Sequence, residues 1–133
     1  MKVRGVIATI LILAISATLG AALRYYVSLW AAALFGTAFP YGTLLVNVVG
    51  SFILGAFLTL AGQGLVTNPG LRLFVATGFC GSLTTFSTYS YESVALFERG
   101  SYLIGALYMF GSLALGLVSV IVGAALMRAL FLA

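Results

Sequence analysis

The sequence predicts an all-α membrane protein, a single domain over residues 1–133 with four transmembrane helices, and three observations lead there. The chain is 63% hydrophobic and only 6% charged, with a mean hydropathy of +1.24, whereas a soluble domain carries about a quarter charged residues. Its apolar segments, roughly Gly5–Val27, Thr43–Ala61, Leu73–Phe97 and Ser101–Met127, each approach the ~20 residues that cross a hydrocarbon core as a helix. The connections between them are rich in turn and interfacial residues. Four crossings place both termini on one side of the bilayer.

The first span follows Lys2 and Arg4, and its apolar run from Gly5 to Leu23 exceeds the ~7–15 residues of a signal-peptide core, so it reads as a retained helix. The connection from Ser28 to Gly42 carries Trp30, Phe35, Phe39, Pro40 and Tyr41, residues suited to the headgroup level. The second connection, beginning at Gly62, is a glycine-proline turn region, and Glu98-Arg99-Gly100 makes a tight third. The basic residues Lys2, Arg4, Arg24, Arg72, Arg99 and Arg128 are scattered and read as helix-end anchors. They give only a small bias towards a cytoplasmic N-terminus, and a chain this balanced is open to insertion in both orientations.

The third span is unlike the others. From Ser82 to Ser93 it reads SLTTFSTYSYES, nearly all hydroxyls. Lipid offers no partner to such groups, so they must face protein or a hydrated cavity. Gly78, Gly81 and the serine-threonine cluster weaken the helix at its middle. Two structures satisfy this pattern: a broken helix whose freed carbonyls are buried or bind an ion, or a continuous helix whose hydroxyls bond back to its own carbonyls.

Thr43, Asn47, Ser51, Gly55 and Thr59 recur every four residues as one stripe on the second span. The fourth span repeats small and polar residues at Ser101, Gly105, Tyr108, Ser112, Gly116, Ser119 and Gly123. Of these, Gly55, Gly116, Ser119 and Gly123 read as close helix contacts. Asn47 reads either as an interhelical bond or as a neutral donor to an anion. Phe86 and Tyr89 read as packing, or as ring edges offered to an anion. Arg24, with Ser16 and Gly20 on its face, closes the first span, either snorkelling or drawing anions to a vestibule. For Glu92, pairing with an arginine or a helix end is favoured over proton transfer.

Composition also excludes. Histidine is absent and Cys80 is the sole cysteine, so Ser-His and Cys-His catalysis and an intrachain disulfide are ruled out. Ser87 has no evident base, and the chain is not read as an enzyme. Two carboxylates, Glu92 and Glu98, are too few for a divalent-cation cage. No basic stripe of the kind nucleic acid requires is present.

At these residues the chain resembles the Fluc (CrcB) family of fluoride channels. The resemblance rests on Gly20-Ala-Ala-Leu-Arg24-Tyr25, on Gly42-Thr43-Leu-Leu-Val-Asn47, and on the run from Gly78 through Gly81, Thr84, Thr85 and Phe86 to Thr88. Glu92 and the Glu98-Arg99-Gly100 turn also fit, so it covers essentially the whole chain. It implies a fluoride-selective channel for passive fluoride export in the cell inner membrane, built as an antiparallel, dual-topology homodimer with an interrupted third helix. It also implies a structural sodium ion at the dimer interface, held by the backbone carbonyls of Gly81 and Thr84. The fluoride pathway would take Phe86, Tyr89, Asn47, Thr43, Tyr108, Ser112, Ser87 and Thr88, with Arg24 at the aqueous mouth. The family usually has a second phenylalanine where this chain has Tyr89, a second glycine where it has Ser82, and in some members a serine where it has Gly116.

Two rivals remain at this level. A proton-coupled small multidrug exporter resembles this architecture but places a carboxylate on its first helix, and no Asp or Glu precedes Glu92 here. A non-transporting membrane subunit would use the small-residue stripes as interfaces only.

Overall fold

A computed structural model describes residues 3–131. Lys2 and the side chain of Arg4, both read above as anchors, lie outside what it describes. Helix α1 runs Val3–Phe35, α2 Tyr41–Gly62, α3 Pro69–Arg72, α4 Gly81–Leu83, α5 Phe86–Glu98 and α6 Tyr102–Phe131. A π-helical stretch, Leu73–Cys80, joins α3 to α4. Three uninterrupted helices, Gly5–Phe35, Tyr41–Gly62 and Tyr102–Phe131, are long and apolar enough to cross a membrane. The third crossing is assembled from α3, the π stretch, α4 and α5.

The first helix exceeds its expected end. Its 33 residues continue through Ser28–Phe35 instead of yielding to a loop at Ser28. Aromatic content suggested an interfacial connection there, but nothing in Ser28–Phe35 breaks a helix, and the first breaker is Gly36, at φ +77°. Arg24 therefore lies eleven residues inside α1, about 16 Å from its end by helical rise. The tight third connection matches the sequence reading; the second matches only as far as Asn68, because Pro69–Arg72, read as part of the turn region, is already helical. Gly64 (φ +78°) follows α2 and Gly100 (φ +75°) follows α5, each in the left-handed region that stops a helix.

Polar caps fix the ends. Asn68 Oδ1 accepts the Leu71 N–H at 3.1 Å, with Pro69 at the first helical position. Arg72 turns back on α2, donating through Nε to the Val66 carbonyl at 2.9 Å and through Nη2 to that of Ala61. Through Ala61 this arginine caps one C-terminal carbonyl of the second span and through Val66 it ties down the connection, a more specific task than anchoring.

Two pairings build the bundle, α2 with α6 and α1 with the first half of the third crossing. Small residues decide both. A Cβ on Gly55 would strike the backbone of Val120, and one on Gly123 the carbonyl of Phe52, so the two helices touch backbone to backbone. On the other pairing, Gly20 lies against the Phe79 carbonyl and Gly78 against the Ser16 side chain. Gly116 differs from the expectation of a close contact. A Cβ there would meet only Ser51 Oγ, at 3.8 Å, because the helices have already diverged around a cavity.

The third crossing breaks at Thr84 and Thr85, both extended (φ/ψ −82°/157° and −151°/116°). Of the two alternatives left open by the sequence, the structure shows the broken helix and not the continuous one. The helix is broken, yet Thr84, Ser90 and Ser93 also donate back to the carbonyls of Cys80, Phe86 and Tyr89 at 2.7–2.9 Å. Back-bonding occupies those hydroxyls while the backbone itself turns out at Thr84.

Candidate functional site

The break is held from outside the span. Asn47 Oδ1 accepts the Thr85 N–H at 2.7 Å, and Asn47 Nδ2 donates to the Thr85 carbonyl at 3.2 Å. One side-chain amide thus satisfies both backbone groups of a single extended residue. An uninterrupted helix would send the Thr85 N–H to the Gly81 carbonyl, so its diversion to Asn47 frees that carbonyl. Gly81 itself is exposed, and a Cβ there would meet nothing closer than 3.8 Å. Thr85 then starts α5. Its Oγ1 accepts the Thr88 N–H at 3.2 Å and lies within hydrogen-bond distance of the Thr88 and Ser87 hydroxyls.

Beside the break lies a cavity of about 330 Å³ between α2, α5 and α6. Asn47, Ser51, Thr84, Thr85, Phe86, Tyr89 and Ser112 supply its polar and aromatic wall, and the rest is glycine and aliphatic side chain. Among the described residues no formally charged one lines it. Most of its polar atoms already have partners. The Tyr89 hydroxyl donates to the Met109 carbonyl at 2.7 Å, which leaves its ring between Phe86 (centroids 5.7 Å apart) and Tyr108 (5.6 Å). Ser112 stands apart: its Oγ is buried and, among the described residues, has no hydrogen-bond partner. An unpaired hydroxyl in such a place costs stability and calls for an explanation. Asn47 has a second amide hydrogen beyond the one given to Thr85. Phe86 is 81% exposed in the single chain, its ring bare on the cavity's open side.

A second cavity, about 300 Å³, opens where α1 ends, α2 begins and α5 ends. Glu92 sits on its wall with Thr43, and Arg99 lines it two helical turns further along α5. Glu92 pairs with neither an arginine nor a helix end, as the sequence had suggested, but with two hydroxyls. Thr43 Oγ1 donates to Oε1 at 2.9 Å, and the Tyr108 hydroxyl to Oε2 at 2.6 Å. Tyr108 is fully buried, with Phe39 against one side of its ring (5.4 Å, edge to face) and Tyr89 against another. This ring therefore lies between Phe39, on the wall of this cavity, and Tyr89, on the wall of the break cavity.

The residues singled out in the sequence thus fall into groups. Asn47, Phe86, Tyr89 and Ser112 share the break cavity. Thr43 and Tyr108 meet at Glu92. Ser87 and Thr88 are exposed in the first turn of α5 and form its cap cluster. Arg24 is half-buried one turn from Gly20, where α1 meets the third crossing, and lines neither cavity. Thr85, which carries both the cap and the Asn47 pairing, drew no separate notice in the sequence. Nor did Arg99 as a cavity residue, although the Glu92–Leu96–Arg99 spacing places both charges on one helix face.

Residues 11–124 match the family model described as CrcB-like protein, Camphor Resistance (CrcB). The chain belongs to the CrcB family. It is 46% identical over 120 residues to the fluoride-specific ion channel FluC of Rhizobium johnstonii, an alignment covering 90% of this chain and 96% of the relative. The corresponding proteins of Chloroflexus aurantiacus (46% over 119 residues, 90% and 94% covered) and Agrobacterium fabrum (42% over 122 residues, 92% and 98% covered) carry the same description. Membership covers the break, both cavities and all four crossings of this CrcB-family chain.

Proposed function

We propose that this chain is a fluoride-selective channel of the inner membrane, carrying fluoride passively outwards down its gradient, and that the break cavity is part of the ion's path. The buried, unpartnered Ser112 hydroxyl is the observation that carries this reading: it is a donor waiting for an acceptor in a cavity with no formal charge. Fluoride is small and strongly hydrated, so a path must replace its water with closely placed donors that still let go. Ser112 Oγ–H, the second Asn47 amide hydrogen and the Phe86 ring edge are neutral groups of that kind. The N-terminus of α5 at Phe86 adds the positive end of a helix dipole without a buried cation. The relatives named as fluoride-specific channels support the same ion.

The functional unit is proposed to be an antiparallel homodimer of chains inserted in both orientations. Its support is the bare Phe86 ring and exposed Gly81, both at mid-span where lipid is a poor partner for a backbone break. A sodium ion at the dimer interface fits the residues present. The Gly81 carbonyl has lost its helical partner to Asn47, and Thr84 is extended, which turns its carbonyl out of the α4 axis. Such an ion would supply positive charge beside the anion path. Thr43, Tyr108, Ser87 and Thr88 are proposed to border that path, with Arg24 as a half-buried positive charge near it. In this arrangement the Thr43 and Tyr108 hydroxyls are committed to Glu92, so they act by fixing that carboxylate.

The test is fluoride efflux from liposomes carrying the purified protein, followed with a fluoride electrode while valinomycin and potassium clamp the voltage, and repeated with chloride. Fast fluoride loss with little chloride loss is expected. A folded, inserted protein that passes neither ion overturns the channel reading.

A further inference from the structure

The Glu92 cavity has two formal charges on its wall, and they occupy different depths. Glu92 lies within, its two oxygens held by Thr43 and Tyr108. Arg99 caps α5, its N–H bonded to the Ala95 carbonyl, and stands about 10 Å towards the chain's turn by helical rise. Arg72 occupies its guanidinium with the carbonyls of Ala61 and Val66. By contrast, among the described residues the Arg99 guanidinium makes no hydrogen bond or ion pair. It is exposed and lines the cavity together with Ser28, Thr37 and Tyr91. Arg24, the expected mouth residue, does not reach this cavity.

A cavity whose only wall charge was a carboxylate would repel any anion approaching Tyr108. Arg99 reverses that field at the rim, about 10 Å from Glu92 by helical rise, a separation comparable to the Debye length of ~8 Å at physiological salt. Low-dielectric walls focus such a field and raise the local concentration of the attracted ion. We propose that Arg99 is the anion-collecting residue of the Glu92 cavity, setting how fast a small inorganic anion enters from this face. The inference rests on the fluoride-channel reading and adds an entry point to it. Arg99 acts by charge alone, making no contact with the ion in the break cavity, so its effect is on capture and not on passage.

The experiment compares initial fluoride flux for wild type, Arg99→Gln and Arg99→Lys in phosphatidylcholine liposomes, which carry no net lipid charge. Fluoride concentration is varied at low and at high ionic strength, the latter set with an impermeant salt. Arg99→Gln is expected to slow flux roughly tenfold at low fluoride and low ionic strength. That deficit should shrink towards nothing at saturating fluoride or high salt, and Arg99→Lys should restore most of the rate. Arg99→Gln flux equal to wild type throughout overturns the proposal. So does a deficit that salt leaves unchanged and lysine does not rescue, which marks a structural residue. If Arg99→Gln fails to fold, the wild type and Arg99→Lys still decide it, since wild-type capture that is indifferent to ionic strength overturns the proposal. Absence of flux from wild type itself overturns the channel reading and this inference with it, whereas wild-type flux with Arg99→Gln unaltered removes the inference alone.

Discussion

The two cavities share a helix, α5, and Tyr108 packs between a wall residue of each, Phe39 and Tyr89, yet they solve opposite problems. Among the described residues the break cavity has no formally charged lining, and most of its polar atoms are paired inward, the buried Ser112 hydroxyl being unpaired. The Glu92 cavity holds a carboxylate and an arginine at two depths. A neutral chamber can surround an anion with donors without trapping it, whereas a charged one attracts or repels over distance. The difference teaches that proximity to the membrane centre governs which polar groups are affordable. The break cavity uses amide, hydroxyl and ring edge, and the two charges of its neighbour lie farther along α5 towards the turn.

The strongest way to break this comparison is to remove the amide that holds the break. Asn47→Ala leaves the Thr85 N–H and carbonyl unpaired in a part-buried site, a loss of about 1–3 kcal/mol for each group. Fluoride flux should fall at least a hundredfold with a lowered melting temperature in detergent. Unchanged melting and flux would mean the break stands without Asn47. Phe86→Ile comes next. The ring is largely bare, so folding and oligomeric state by size exclusion should be retained while flux drops more than tenfold.

Ser112→Ala separates stability from conduction. No hydrogen bond is lost, so melting should hold or rise slightly, while flux falls several-fold. Wild-type flux in that variant would show that the free hydroxyl serves no ion. The smallest effect is expected from Tyr89→Phe, which gives up one bond to the Met109 carbonyl, about 1 kcal/mol. Its flux should remain within about threefold of wild type, because the hydroxyl is directed at protein and away from the cavity's free donors. A dead but folded Tyr89→Phe would place that hydroxyl on the ion's path.

The stripe on the second span shows how far sequence reading reached. Spacing of four placed Thr43, Asn47, Ser51, Gly55 and Thr59 on one face, and each proves to have a different neighbour. Thr43 meets Glu92, Asn47 meets Thr85, Ser51 meets the cavity and Gly55 meets Val120, while Thr59 bonds back to the Gly55 carbonyl. Periodicity gives a direction around a helix and says nothing of what stands opposite. The same limit explains Gly116, whose composition matched a helix contact and whose place is a cavity wall. It also explains Glu92, for which two hydroxyls from other helices took the role expected of an arginine.

By itself, the sequence determined an all-helical chain of four apolar crossings, the position of the weak point in the third, two of the glycine turns and the family, because those follow from hydropathy, local propensity and motif. It could not decide how far α1 would run, since Ser28–Phe35 has no breaker and its aromatics suit helix and interface alike. Only the tertiary structure settled that Thr84 and Thr85 leave the helix instead of merely loosening it. The reason is physical: an extended residue in mid-span needs partners for its N–H and carbonyl, and those come from Asn47, thirty-eight residues away and brought there by the packing of other helices.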